Sequence, residues 1–283
     1  MKNLLIRTVT GLVFTAVVVA SLLCYEMSSA FFYLLFLFFT VVGTFELVRM
    51  ARNAGMEGNL PLALLLSVTL FSIPPFVFIL SKTLLPLLLT IGVVLLLLLG
   101  VAVLVLELFH CHSNPIGNIS VTLLPMFWVA VPFAIIGLLL GSGKISVVFS
   151  IFIIIWLGDT LAYCSGRLFG KHKLFERVSP NKTIEGFVIS LCLTVAIAAC
   201  FYWIPFLKVQ AFATPWHWAG FALVAVLFAT AGDLVESLFK RSCSVKDSGS
   251  ILPGHGGVLD RFDSALLAIP VASIYWLIFE LVG

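Results

Sequence analysis

Apolar residues run along this chain in blocks of about twenty, and its polar residues gather in short clusters between them. Twenty apolar residues in an α-helix cross the ~30 Å hydrocarbon layer of a bilayer. Nine such blocks occur, at roughly 5–25, 29–47, 60–80, 83–106, 119–140, 145–166, 186–206, 217–239 and 264–282. Thr83 to Leu106 carries no charge at all, whereas the sixth and eighth blocks each hold an Asp. Pro74, Pro75, Pro125 and Pro132 fall within the third and fifth blocks, where a membrane helix accepts them as kinks. The pattern predicts an all-α polytopic membrane protein with about nine transmembrane helices.

Composition excludes the soluble alternative. Of 283 residues, 61% are hydrophobic and 10% charged, against the usual ~45–50% and ~25%. So few charges cannot cover the surface of a soluble fold. The net charge of +3 makes no case for a nucleic-acid partner. Six cysteines, at 24, 111, 164, 192, 200 and 243, form no CxxC pair and read as small apolar fillers.

If the N-terminus is cytosolic, 13 Lys and Arg residues fall on the inner side and only Lys82, Lys144 and Lys208 outside. This bias places the N-terminus in the cytosol and the C-terminus outside. The uncharged run Thr8–Tyr25 exceeds a signal-peptide core, so the first block reads as a retained span. No internal repeat breaks the chain. It reads as one membrane domain, 1–283, in which 1–144 form a helical scaffold and 145–283 carry the catalytic helices and cytosolic loops.

Charge concentrates in two places. Segments 159–185 and 233–263 hold 17 of the 29 Lys, Arg, Asp and Glu residues, including all five aspartates: Asp159, Asp233, Asp247, Asp260 and Asp263. With spans six and eight running inward, Asp159 lies ~21 Å along its helix at 1.5 Å per residue, and Asp233 at a similar depth. Span nine starts inside with Asp260 and Asp263 at its entrance. All five carboxylates can then share one pocket at the inner leaflet. Carboxylates in a span face a cavity or a partner and mark a functional site.

Spacing adds detail. Asp233, Glu236, Ser237 and Lys240 share one helix face, and Asp260 and Asp263 stand at i and i+3. Converging carboxylates need a cation, and hard oxygen ligands suit Mg²⁺. Lys240, Arg241, Lys246 and Arg261 are phosphate-holding residue types among them. The run Leu252-Pro-Gly-His-Gly-Gly257 allows backbone to approach an anionic ligand closely. These are the parts of phosphoryl or nucleotidyl transfer. The sixth span leads into Gly158–Lys173, read as a loop, and then Ser179-Pro-Asn-Lys-Thr-Ile-Glu-Gly186. Ser179 reads as an N-cap with Pro180 at the first helical position, and Lys182 and Thr183 beside that terminus make an anion site. Glu107, His110 and His112 read as a solvated loop, and Glu46 as a partner of nearby Arg49.

The signature Ser237-Leu-Phe-Lys-Arg241, Lys246-Asp247, His255-Gly-Gly257 and Asp260-Arg-Phe-Asp263 resembles that of the phosphatidate cytidylyltransferases, the CDP-diacylglycerol synthases. Asp159-Thr160, Gly166-Arg167 and Ser179-Pro180 through Glu185-Gly186 are similar to that family too. Asn181 departs from the pattern, which has Lys there. The resemblance covers 156–265 in detail and the nine-span layout in outline. It implies that CTP and phosphatidate become CDP-diacylglycerol and pyrophosphate, for phospholipid synthesis.

Mg²⁺ would be held by Asp260 and Asp263 first and Asp233 next, and the surplus of carboxylate leaves room for a second cation. Lys240, Arg241, Lys246 and Lys182 would neutralise phosphate charge. Asp159, Arg167, Ser179, Thr183, Ser237, Asp247, His255, Gly256, Gly257 and Arg261 would line the substrate site. No general base is required, because positioning and charge stabilisation carry the rate. CTP, phosphatidate and membrane lipids are the implied partners, with a homodimer compatible. The implied location is a bacterial-type plasma (inner) membrane with the site at its cytosolic face.

Two other classes fit less well. A CTP-dependent lipid kinase of the dolichol or phytol type would share acidic inner-leaflet loops but transfer the γ-phosphate. A transporter would show repeated halves with broken helices, and these halves are dissimilar.

Overall fold

The computed structural model describes residues 2–79, 84–109, 114–209, 212–251, 254 and 256–282, with residues 2–8 and 79 described by backbone alone. Nine helical spans stand where the hydropathy blocks put them among the described residues. They are α1 (Lys2–Leu23), α2 (Ser29–Arg52), α3 and α4 (Leu60–Phe71, Ile73–Ile79), α5 (Leu85–Phe109), α6 and α7 (Pro115–Pro125, Val131–Gly141), α8 (Ile145–Phe169), α9 (Ile184–Ala199), α10 (Pro215–Ser242) and α11 (Leu259–Val282). Eight of the nine are long and apolar enough to cross a membrane, and α1 supplies a shorter apolar stretch, Val9–Leu23. The chain is an all-α polytopic integral membrane protein.

The prolines act as expected. The third span breaks at Ser72, just before Pro74 and Pro75, and the fifth passes through a π-helical turn, Met126–Ala130, between Pro125 and Pro132. Each proline removes a backbone donor, so the helix shortens or bulges there. Asn59 and Asn114 cap α3 and α6, their side chains accepting from Leu62 N and Gly117 N at 3.1 and 3.0 Å. In both, Pro occupies the first turn, where its missing N–H costs nothing.

The chain divides into two compact units: Met1–Gly141 with Lys240–Phe262, and Ser142–Phe239 with Asp263–Gly283. The first unit has an aromatic core in which Phe262 packs on Phe39 and Phe133 at ring separations of 5.3 and 5.0 Å. Phe262 thereby fixes the first turn of α11 against α2 and α7.

In the second unit α8 and α9 lie close, since small residues face each other as in many membrane helix pairs. Ser190 Oγ donates to Gly158 O at 2.6 Å and Ser165 Oγ to Gly186 O at 3.1 Å. A Cβ on Gly186 would stand 2.9 Å from Gly166 Cα and 3.0 Å from Ala162 O. Gly186→Ala should therefore force the two helices apart, costing about 1–3 kcal/mol. The check is a lowered Tm of the detergent-extracted protein, with the neighbouring Val188→Ala, on the exposed side of α9, as the control that leaves Tm nearly unchanged.

Candidate active site

Within the second unit, a cavity of about 490 Å³ opens between α8, α9 and α10. Ile155, Phe187 and Val226 make part of its apolar lining, and Asp159, Arg167, Ser179, Lys182, Thr183 and Asp233 line it as well. Six of the residues expected to bind substrate or cation are thus brought to one place. Asp159 sits 14 residues into α8 with its side chain exposed to the cavity, and Ser264 Oγ on α11 donates to its Oδ2 at 3.4 Å.

Asp233 lies on α10. Lys182 Nζ reaches its Oδ2 at 2.5 Å, with 27% and 24% of the two side chains exposed, and Ser237 Oγ donates to its Oδ1 at 3.3 Å. Asp233 therefore pairs with Lys182 rather than with the lysine two turns along its own helix. Gly232 lets α10 run against α11, because a Cβ there would stand 2.6 Å from Asp263 O. Asp263 itself is half-buried and its Oδ1 accepts from Ser264 N at 2.7 Å.

The entry to α9 differs from expectation. Ser179 does not cap a helix. Ser179–Thr183 is a strand, β2, paired antiparallel with β1 (Lys173–Phe175). The residue before Pro favours extended backbone, and pairing with β1 satisfies that segment better than an early helical turn. Lys173 Nζ donates to Pro180 O at 2.6 Å across the hairpin. Thr183 is the true cap, its Oγ1 accepting from Gly186 N at 3.2 Å. Glu185 reaches back to accept from Lys171 N and His172 N at 3.0 and 3.1 Å, tying the hairpin to the helix. Lys182 and Thr183 still flank the terminus, which lies four residues later than predicted. The run from Gly158, expected as loop, is helical through Phe169, so Asp159 and Arg167 are helix residues with fixed direction.

The first unit holds a second set. Asp260 is 9% exposed. Its Oδ1 accepts from Lys240 Nζ at 2.7 Å, and its Oδ2 from Ser248 N, Ser248 Oγ and Gly257 N, each at 2.8 Å. Glu46, on α2, accepts from Val258 N and Leu259 N at 3.0 Å each and from Ser248 Oγ at 3.2 Å. Arg49 instead lies over the Phe45 ring, 5.9 Å from its centroid, so the expected Glu46–Arg49 pair does not form.

The glycines are explained by the same carboxylates. Gly256 has φ +79°, and a Cβ there would stand 2.5 Å from Asp260 Oδ2; a Cβ on Gly257 would overlap Glu46 and Ser248. The anions that this backbone approaches in the structure are the protein's own. Arg241, Lys246, Asp247 and Arg261 are exposed. His255, like His110 and His112, lies outside the described residues. Glu107 stands on α5 rather than in a solvated loop and accepts from Asn118 Nδ2 at 2.8 Å.

Whether Mg²⁺ suits these residues can be judged from the donors. Asp233 and Asp260 each face a lysine ammonium, a cation already standing where a metal ion would be attracted. Asp159, Ser237, Asp263 and Ser264 add hard oxygen donors in the second unit. Among the described residues no three or more His, Cys, Asp and Glu are grouped so as to hold a metal ion. Mg²⁺ needs no such group, since it keeps waters and takes phosphate oxygens alongside one or two carboxylates. The donor set fits.

The fold is that of a polytopic helical membrane protein whose second unit sets Asp159, Asp233, Lys182 and Arg167 around a cavity with an apolar wall. More narrowly, the chain belongs to the cytidylyltransferase family, whose sequence model matches residues 5–279. It is 50% identical over 124 residues to a phosphatidate cytidylyltransferase of Staphylococcus aureus strain COL, covering 44% of this chain and 46% of that relative. Similar matches reach the phosphatidate cytidylyltransferases of Staphylococcus haemolyticus (47% over 125 residues) and Staphylococcus saprophyticus (46% over 123 residues), each covering 44% of this chain and 46% of the relative. The chain thus matches just under half the length of these relatives.

Proposed function

We propose that this chain transfers the cytidylyl group of CTP to phosphatidate, yielding CDP-diacylglycerol and pyrophosphate. The observation that carries this reading is the cavity where Asp159, Lys182, Asp233 and Arg167 meet beside apolar residues of α8, α9 and α10. A nucleoside triphosphate needs positive charge around it, from basic side chains and from a carboxylate-held metal ion, and a lipid phosphate needs a polar end open to an apolar wall.

A phosphate oxygen of the lipid attacks the α-phosphorus of CTP. A new P–O bond forms as the bond to the bridging α–β oxygen breaks, and pyrophosphate leaves with that electron pair. Asp233 and Asp263 would hold one Mg²⁺, which when bound neutralises and orients the triphosphate; Asp260 would serve a second cation. Lys182 exchanges its partner Asp233 for a phosphate, and Arg167 faces the lipid headgroup. The nucleophile is already anionic, so orientation and charge stabilisation suffice. The reading extends to a bacterial plasma membrane, with the N-terminus and the site on the cytosolic side, where CTP is found.

Purified protein in phosphatidate micelles with α-labelled CTP and Mg²⁺ should move the label into lipid, and chelation should stop it. Label entering lipid only from γ-labelled CTP would replace this reading with a lipid kinase.

A further inference from the structure

We propose that Glu46, on a helix of the N-terminal scaffold, is a positioning residue for nucleotidyl transfer, acting through Ser248, Val258 and Leu259 without touching substrate. The inference rests on the transfer reading above. Glu46 is 2% exposed, and its described partners are neutral: the N–H groups of Val258 and Leu259 and the hydroxyl of Ser248. The two N–H groups belong to the start of α11, where helical donors have no intrahelical acceptor and a negative charge is favoured. A buried carboxylate spent this way fixes where α11 begins, and so the direction of Asp260 one residue on.

Ser248 links the two carboxylates. Its single hydroxyl hydrogen lies between Glu46 Oε2 at 3.2 Å and Asp260 Oδ2 at 2.8 Å. Its backbone N–H also goes to Asp260, at 2.8 Å. Gly249 lacks room for a Cβ because Glu46 fills it, and Gly257 because Ser248 and Glu46 do. Ser248, the start of α11 and Asp260 therefore form one hydrogen-bonded body whose far wall is Glu46. Groups that orient a ligand residue from behind typically change activity by about 10–100-fold when altered.

The test uses the full chain in detergent micelles. Glu46→Gln keeps the shape but turns an N–H₂ toward donors, and Ser248→Ala removes the shared hydroxyl. For Glu46→Gln, kcat should fall by about 10–100-fold, with KM for phosphatidate within about twofold of wild type; Ser248→Ala should shift the same parameter less. Hydrogen exchange at the Val258 and Leu259 amides should quicken in Glu46→Gln. A lowered Tm with kcat per folded molecule unchanged, or unaltered exchange at both amides, overturns the proposal. If wild-type protein transfers no label at all, the transfer reading fails, and the exchange measurement alone decides whether Glu46 holds the loop. Should Glu46→Gln not fold, Ser248→Ala decides by the same kcat criterion.

Discussion

Asp233→Asn should lower cytidylyl transfer by about 10²–10³-fold, the usual cost of removing one charge-stabilising group from an active site, while the protein still folds. The side chain is roughly one-quarter exposed and faces the cavity, so Asn keeps its shape and its contact with Ser237. What disappears is the negative charge. Lys182 then loses its counter-ion, but an ammonium that is 27% exposed remains solvated, and the exposed pair contributes at most about 1 kcal/mol. The change should therefore appear in kcat and in the Mg²⁺ concentration giving half the maximal rate, with Tm moved little. Turnover within about threefold of wild type at saturating Mg²⁺ would remove Asp233 from the machinery. A companion substitution, Lys182→Met, separates the two roles of that lysine: it frees Asp233 for the cation yet removes a phosphate contact, so it should raise KM for substrate more than it alters the Mg²⁺ response.

How far the chain could be read in advance follows from which interactions are local. The spans were legible because burial in hydrocarbon is decided residue by residue over about twenty positions, and even the breaks at Pro74 and Pro125 followed from one missing N–H. Lys182, Thr183 and Asp233 were legible as types, since charge is costly in a span. Their grouping around one cavity with Asp159 also followed from parallel spans six and eight.

The hairpin was missed because Ser179-Pro180 carries the same signal for a strand edge as for a helix start, and only the partner strand at 173–175 decides between them. Glu46 was missed for a plainer reason. Its partners lie more than 200 residues away, and Arg49 offered a local partner one turn along. The one available sign was the glycine pair at 256–257, which announces a close anion without saying whose it is.

The ion pair of Lys240 and Asp260 supplies the largest expected change in stability. Both side chains are nearly enclosed, 11% and 6% exposed, at 2.7 Å. Breaking a buried pair by removing one partner leaves an uncompensated charge and costs about 3–5 kcal/mol. The two single changes are not equivalent here. Lys240→Met leaves Asp260 with three donors from Ser248 and Gly257, which still solvate the carboxylate. Asp260→Leu strands those donors and takes the carboxylate from Lys240, so it should be the more damaging.

The double variant removes both charges and should fall short of the sum of the singles by about 0.5–3 kcal/mol, the range for groups in one network. Denaturant unfolding of the detergent-extracted proteins, followed by far-UV circular dichroism, gives the three differences. Additivity within about 0.5 kcal/mol would mean that the pair carries no mutual energy. Asp260 would then be held by its bonds to Ser248 and Gly257 rather than by its lysine.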